Sequence, residues 1–313
     1  MKKLLAADIG GSKTRIRLLD TDGTILSESV GTGVAGISDS TDPLPPLEDQ
    51  LAALPDKKSI CAAAVNLGGR NTEQVRLSFR RFFPDIPLQI FRESEGTAAY
   101  ALGQEYDASV VLMAGTGAIA VGKWNRHFVI TGGWGIHIGD DGSGYDIGLQ
   151  AIRLSLRAMD NIEALSPLTA FLCGWETPLP VSSDPALFRD RRDHIRERLA
   201  PLDRQHIASL TKIVAEFAEK GDKNALDIFR YAGEKLAELV VCNAKKLTEN
   251  TIPAVVVTGG LIHIRKFWAD SFESRIHHSL PDTEIQYVTD GILQGTSSIV
   301  KDLYENHGGT DKL

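Results

Sequence analysis

Leu4-Leu5-Ala6-Ala7-Asp8-Ile9-Gly10-Gly11-Ser12-Lys13-Thr14-Arg15-Ile16-Arg17-Leu18-Leu19 is an apolar run that carries an aspartate into a Gly-Gly turn and leaves as a second, alternating run. The residues before Asp8 suit a buried strand, and Ile16 and Leu18 recur with the period of two that a half-buried strand requires. Gly10 and Gly11 permit a turn too tight for side chains. Such a turn aims several N–H groups at one point, to which Ser12 adds a hydroxyl and Lys13 a positive charge, so an anion is the expected occupant. If that anion is a phosphate, Asp8 at the strand end would face it, which makes sense only with a divalent cation and its waters between them. An ordinary glycine-bulged hairpin would use the same residues, and the stretch alone does not separate the two.

Two further glycine loops follow at domain-scale distances. Val110 to Ala114 leads into Gly115-Thr116-Gly117 and out again through Ala118 to Gly122. Val255-Val256-Val257-Thr258-Gly259-Gly260 is a β-branched strand ending in a glycine pair, ahead of an expected helix from about Ile264 to Leu280. Two phosphate-binding hairpins plus a Gly-Gly turn that can pass close beneath a purine are the parts of an ATP site. The order Asp-x-Gly-Gly, Gly-Thr-Gly, Thr-Gly-Gly resembles the phosphate-1, phosphate-2 and adenosine motifs of the actin, sugar kinase and Hsp70 ATPase superfamily. That resemblance implies ATP as cosubstrate with Mg²⁺. Gly10, Gly11, Ser12, Lys13, Thr116 and Gly117 would lie at the phosphates, Gly259 and Gly260 at the adenosine, and Asp8 would hold the metal through water.

Gly132-Gly133-Trp134-Gly135 followed by Gly139-Asp140-Asp141-Gly142-Ser143-Gly144-Tyr145 narrows the match. It resembles the signature of the N-acetylglucosamine kinase and BadF/BadG/BcrA/BcrD ATPase family, and the likeness runs from residue 1 to about 300. Gly133, Trp134 and Gly135 offer a flat aromatic face and close backbone, and Asp140 can accept from two vicinal hydroxyls, as a sugar would present. A glycine-rich loop around a core tryptophan is the plainer alternative.

Composition agrees. At 313 residues the chain exceeds a typical single core. The resemblance implies an α/β fold of two ribonuclease-H-like (actin-like ATPase) domains with mixed sheets flanked by helices and a cleft between them. These are expected at residues 1–107, with a terminal helix (293–313) packing back, and at 108–292. A net charge of −7 and a pI near 5.7 argue against a nucleic-acid partner. No apolar run approaches a membrane span, and the N-terminus reaches Asp8 too early for a signal-peptide core. A cytoplasmic protein is expected, with a small-molecule sugar and ATP as partners and a homodimer left open. Cys61, Cys173 and Cys242 form no C-x-x-C pair and read as reduced, mostly buried thiols, which disfavours the dehydratase-activator branch with its shared iron–sulfur cluster. The histidines show no metal-ligand spacing.

Along the chain, strands are expected through residues 3–30 with a turn at Thr21-Asp22-Gly23, at Ile60–Leu67 and at Leu88–Phe91. Helices are expected at about Thr72–Phe82, Gly96–Glu105, Gln150–Ala158, 169–173, Ala186–Leu199, Ile207–Lys220, Ala225–Leu247 and Leu293–Tyr304.

Phosphoryl transfer to an alcohol calls for a carboxylate base. The family places an aspartate ahead of small helical residues. Aligning Ala98, Ala99 and Ala101 puts Glu95 at that place as the catalytic base beside Asp8, with Glu93 as the alternative and helix capping as the non-catalytic reading of both. The family's sugar-gripping asparagine after the third strand is Ala35 in this chain, and Asn66 is the nearest compensating amide. These departures leave the reaction class, transfer of the ATP γ-phosphoryl to an amino sugar or hexose, firmer than the sugar. Two other readings stand beside it: an ATPase that regulates a partner protein by nucleotide-driven closure, and a non-catalytic sugar sensor.

Overall fold

The computed structural model describes residues 1–11, 13–36, 42–91, 108–124, 127–135, 138–179, 185–247 and 252–308. The chain forms two compact units, Met1–Asp107 with Asp290–Leu313, and Ala108–Thr289.

The first unit is built on β1 (Lys3–Ile9), β2 (Lys13–Asp20), β3 (Ile25–Thr32), β4 (Ile60–Leu67) and β5 (Leu88–Phe91), in the order β3-β2-β1-β4-β5. β1, β2 and β3 pair antiparallel, and β4 and β5 join in parallel. Alternation along β1 and β2 supplies two apolar faces. Leu5, Ala7, Ile9, Ile16 and Leu18 pack with Leu47 and Leu51 of α1 (Pro45–Ala52) and with Val75 and Phe79 of α2 (Thr72–Phe82). Leu4, Ala6, Leu19, Ala62 and Ala64 pack on the other side against Leu293 and Val300 of the C-terminal helix, Gly291–Gly308. Arg17 is buried on that second face, where its guanidinium meets Glu28 and Asp290 at 2.7 Å each.

The second unit repeats the strand order. β6 (Ala108–Ala114), β7 (Ala118–Trp124), β8 (His127–Gly132), β9 (Ala254–Thr258) and β10 (Glu284–Val288) are arranged β10-β9-β6-β7-β8. The helices are α3 (Gly144–Met159), α4 (Pro167–Cys173), α5 (Pro185–Leu199), α6 (Arg204–Glu219), α7 (Lys223–Leu247) and α8 (Ala269–Ser279). α7 lays Leu236, Ala237, Val240 and Ala244 on Val110, Leu112, Ala120, Val255 and Val257. Buried Asn243 fastens α7 to the sheet by donating to the carbonyls of Ala120 and Val129, both at 2.9 Å.

Three sequence expectations are corrected. The helix expected from about Ile264 is a 3₁₀ segment, Gly260–Phe267, broken at Ile264 and followed by α8. The break follows from Trp268, which is fully buried and donates its indole N–H to the Leu261 carbonyl at 3.0 Å. α3 starts at Gly144 rather than Gln150, because Ser143 caps it by accepting from the Asp146 N–H. Of the cysteines only Cys173 is buried; Cys61 is half-buried and Cys242 exposed, and all three are free. Among the described residues no helix is long and apolar enough to cross a membrane.

Candidate functional site

In the first unit, strand register alone assembles a polar row. Asp8 of β1 stands opposite Arg15 of β2 and Asn66 of β4, and residues opposite one another on neighbouring strands share a face. Arg15 Nη2 donates to Asp8 Oδ2 at 3.1 Å, and Asn66 Nδ2 donates to Asp8 Oδ1 at 2.9 Å. All three side chains are largely withdrawn from solvent. The row lies where β1 enters the glycine turn, which closes through the Gly10 N–H to the Lys13 carbonyl at 2.9 Å. The chain after β3 packs directly on this turn: a Cβ at Gly33 would overlap the Gly11 backbone, and the Ala35 N–H donates to the Gly10 carbonyl. Buried Asn71 holds the same segment, accepting from the Gly36 N–H and donating to the Val34 carbonyl, both at 2.8 Å.

The donor set fits magnesium held at one remove. Among the described residues no cluster of three or more His, Cys, Asp or Glu side chains stands ready to cage a metal, and Asp8 is one carboxylate with both oxygens already accepting hydrogen bonds. Mg²⁺ characteristically keeps several waters and takes phosphate oxygens alongside one or two carboxylates, and Asp8 can supply that outer contact.

In the second unit the same topology sets two turns at the ends of neighbouring parallel strands, since Met113 of β6 is level with Thr258 of β9. In open α/β sheets such carboxyl ends are where ligands bind. The Gly115 N–H bonds the Gly117 carbonyl across the first turn. Gly259, with φ of 107°, passes so close to the Ala114 backbone that a Cβ would overlap it, whereas Gly260 faces open space.

The first turn is fused to the Gly-Trp-Gly segment. The Gly133 N–H donates to the Ala118 carbonyl, Gly144 to Gly115 and Tyr145 to Thr116, at 2.8 to 3.1 Å. Asp140 completes the junction. It is buried, takes a left-handed backbone with φ of 62°, and sets Oδ2 where a Cβ on Gly117 would stand 2.6 Å away. Burial pushes its carboxyl above the usual range, while the N–H groups of Ala118 and Gly135 pull it back. Oδ1 is buried and has no hydrogen-bond partner among the described residues. Trp134 is exposed, as an aromatic platform requires and a core tryptophan does not.

The pattern of the BadF/BadG/BcrA/BcrD ATPase family matches residues 7–295. The chain belongs to that family. The chain is 26% identical over 296 residues to the N-acetylmuramic acid/N-acetylglucosamine kinase of Clostridium acetobutylicum, covering 91% of this chain and 94% of the relative. It is 26% identical over 307 residues to the N-acetyl-D-glucosamine kinase of Dictyostelium discoideum, covering 91% and 93%. A candidate N-acetylglucosamine kinase from Chromobacterium violaceum superposes with a TM-score of 0.66 at 24% identity, over 96% of this chain and 99% of the other. The fold of this BadF-family chain is α/β and actin-like.

The expected residues fall into two groups. Asp8, Gly10, Gly11, Lys13 and Asn66 gather in the first unit; Thr116, Gly117, Gly133, Trp134, Gly135, Asp140, Gly259 and Gly260 gather in the second. Asn66 donates one amide N–H to Asp8. Ser12, Glu93 and Glu95, with the helix expected at Gly96–Glu105, lie outside the described residues. Sequence reasoning missed Arg15, Asn71 and Asp146. Asp146 closes the α3 cap by accepting from the Gly142 N–H at 2.9 Å, and burial raises its carboxyl too. Arg15 was signalled by its mirror position to Asp8 about the glycine turn.

Proposed function

We propose that this chain is an ATP-dependent kinase of amino sugars, transferring the γ-phosphoryl group of ATP to a hydroxyl of N-acetylglucosamine or glucosamine. One observation carries the reading: Asp140 joins the Gly115-Gly117 turn to the Gly-Trp-Gly segment, with one oxygen against Gly117 and the other buried without a partner among the described residues. A phosphate turn and an acceptor loop built as one piece suit an enzyme that must hold two substrates in register. A nucleotidase needs no acceptor. The names of the full-length relatives point the same way.

In this reading the backbone of Gly10, Gly11 and Gly117, with Lys13 and Thr116, holds the phosphates, and Gly259 and Gly260 lie under the adenosine. Gly133, Trp134, Gly135 and Asp140 seat the sugar, and Glu95 accepts the hydroxyl proton as the phosphoryl group leaves. Asp8 orients the waters of Mg²⁺, which when bound neutralises charge on the phosphate oxygens. Arg15 and Asn66 fix the Asp8 rotamer.

ADP release measured across a panel of free sugars tests this. N-acetylglucosamine or glucosamine should stimulate it by orders of magnitude over water. A rate indifferent to every sugar would replace the kinase with an ATPase that serves a partner protein.

A further inference from the structure

The residues Lys13, Arg15 and Arg17 put three cations on one face of β2, two residues apart. Their surroundings differ in a telling way. Arg17 is fully committed to structure, bonded to Glu28, Asp290 and Ser297. Lys13 is exposed beside the glycine turn. Arg15, between them, pairs with Asp8 through Nη2, and its Nε is buried without a partner among the described residues.

Asp8 therefore carries its own counter-ion. A bare carboxylate where β1 enters a phosphate-binding turn would repel a nucleotide that arrives without its metal, and little water is present to screen the repulsion, because the Asp8 and Arg15 side chains are only 14% and 16% exposed. A guanidinium cannot lose its charge at any working pH and presents a rigid fork that suits a carboxylate. We propose that Arg15 is a positioning residue that neutralises Asp8 ahead of the metal, so that the nucleotide phosphates are accepted at the turn whether or not Mg²⁺ accompanies them. Asn66 holds the other carboxylate oxygen, which fixes the Asp8 carboxylate in one orientation. Arg15 acts through Asp8 and needs no contact with substrate.

The inference rests on the nucleotide reading of the glycine turn, and the test separates the two. Binding of a fluorescent ATP analogue is titrated in excess Mg²⁺ and in excess chelator. Wild type binds in both. Arg15→Gln should lose about tenfold or more of its metal-free affinity, the scale expected for one unscreened like charge, and much less of its affinity in Mg²⁺. Arg15→Lys should retain metal-free binding. In an Asp8→Asn background Arg15→Gln should cost nothing further without metal, because the repulsive charge is gone. Asp8→Asn alone should bind the metal-free analogue at least as tightly as wild type, a readout that stands even if Arg15→Gln does not fold. Equal losses with and without Mg²⁺, persisting in the Asp8→Asn background, would overturn the inference and make Arg15 a structural or direct phosphate contact. Weaker metal-free binding in Asp8→Asn would overturn it as well. No binding by wild type in either condition would overturn the nucleotide site itself and the inference with it.

Discussion

Asp140 Oδ2 occupies the space that a side chain at Gly117 would need, 2.6 Å from the position of its Cβ. The Gly-Trp-Gly segment and the Gly115–Gly117 turn cannot move independently of each other, since backbone bonds from Gly133, Gly144 and Tyr145 hold the same turn.

Gly117→Ala tests that coupling. The new methyl must displace the Asp140 carboxylate, so a substitution in the phosphate turn should raise KM for the sugar as well as for ATP. Displacements near 1 Å cost on the order of 10²-fold in kcat/KM. Steady-state kinetics with each substrate varied in turn will show it; a change confined to ATP would mean that the two loops are mechanically separate.

Asp140 also sets a pH dependence. Burial raises its folded pKa above the unfolded value. Its contribution to stability is therefore complete below the ordinary carboxylate range and is lost as pH rises through the raised value. Asp140→Asn removes that loss, and asparagine tolerates the left-handed backbone. The variant should melt at a higher temperature than wild type at neutral pH, with the gap closing toward pH 4, while KM for the sugar rises. Thermal melts across that range are the check, and a gap that widens on acidification would contradict the assignment.

Asp8→Asn should leave the fold intact and lower Mg²⁺-dependent turnover by orders of magnitude, because it removes charge and not packing. Circular dichroism and turnover measured on the same preparation will separate the two effects.

Glu95→Gln should keep both substrates bound and lose roughly 10²–10⁴-fold in kcat, the usual worth of a positioned base. Glu93→Gln should be close to wild type. The reverse pattern would move the base to Glu93.

Legibility in the sequence followed the local physics. The β1–β2 hairpin announced itself through an apolar run, a glycine turn and strict alternation, and α2 and α7 through helical periodicity over long segments. β10 did not, since Glu284-Ile285-Gln286-Tyr287-Val288 is polar at alternate positions and mostly half-buried at the sheet edge. The break ahead of α8 depends on burying Trp268 against Leu261, a tertiary demand that overrides helical periodicity. Most of the candidate site was readable because glycine loops must be spelled out in glycine. Arg15 was readable only by counting register across the glycine turn, and Asn71 and Asp146 were not, because their roles arise from loop and cap geometry rather than from a motif.

The kinase reading stands most directly on the product. After incubation of the protein with ATP, Mg²⁺ and N-acetylglucosamine or glucosamine, mass spectrometry should find the phosphorylated sugar in amounts equal to the ADP formed, and none when the sugar is omitted. ADP formed without any phosphorylated sugar would contradict it.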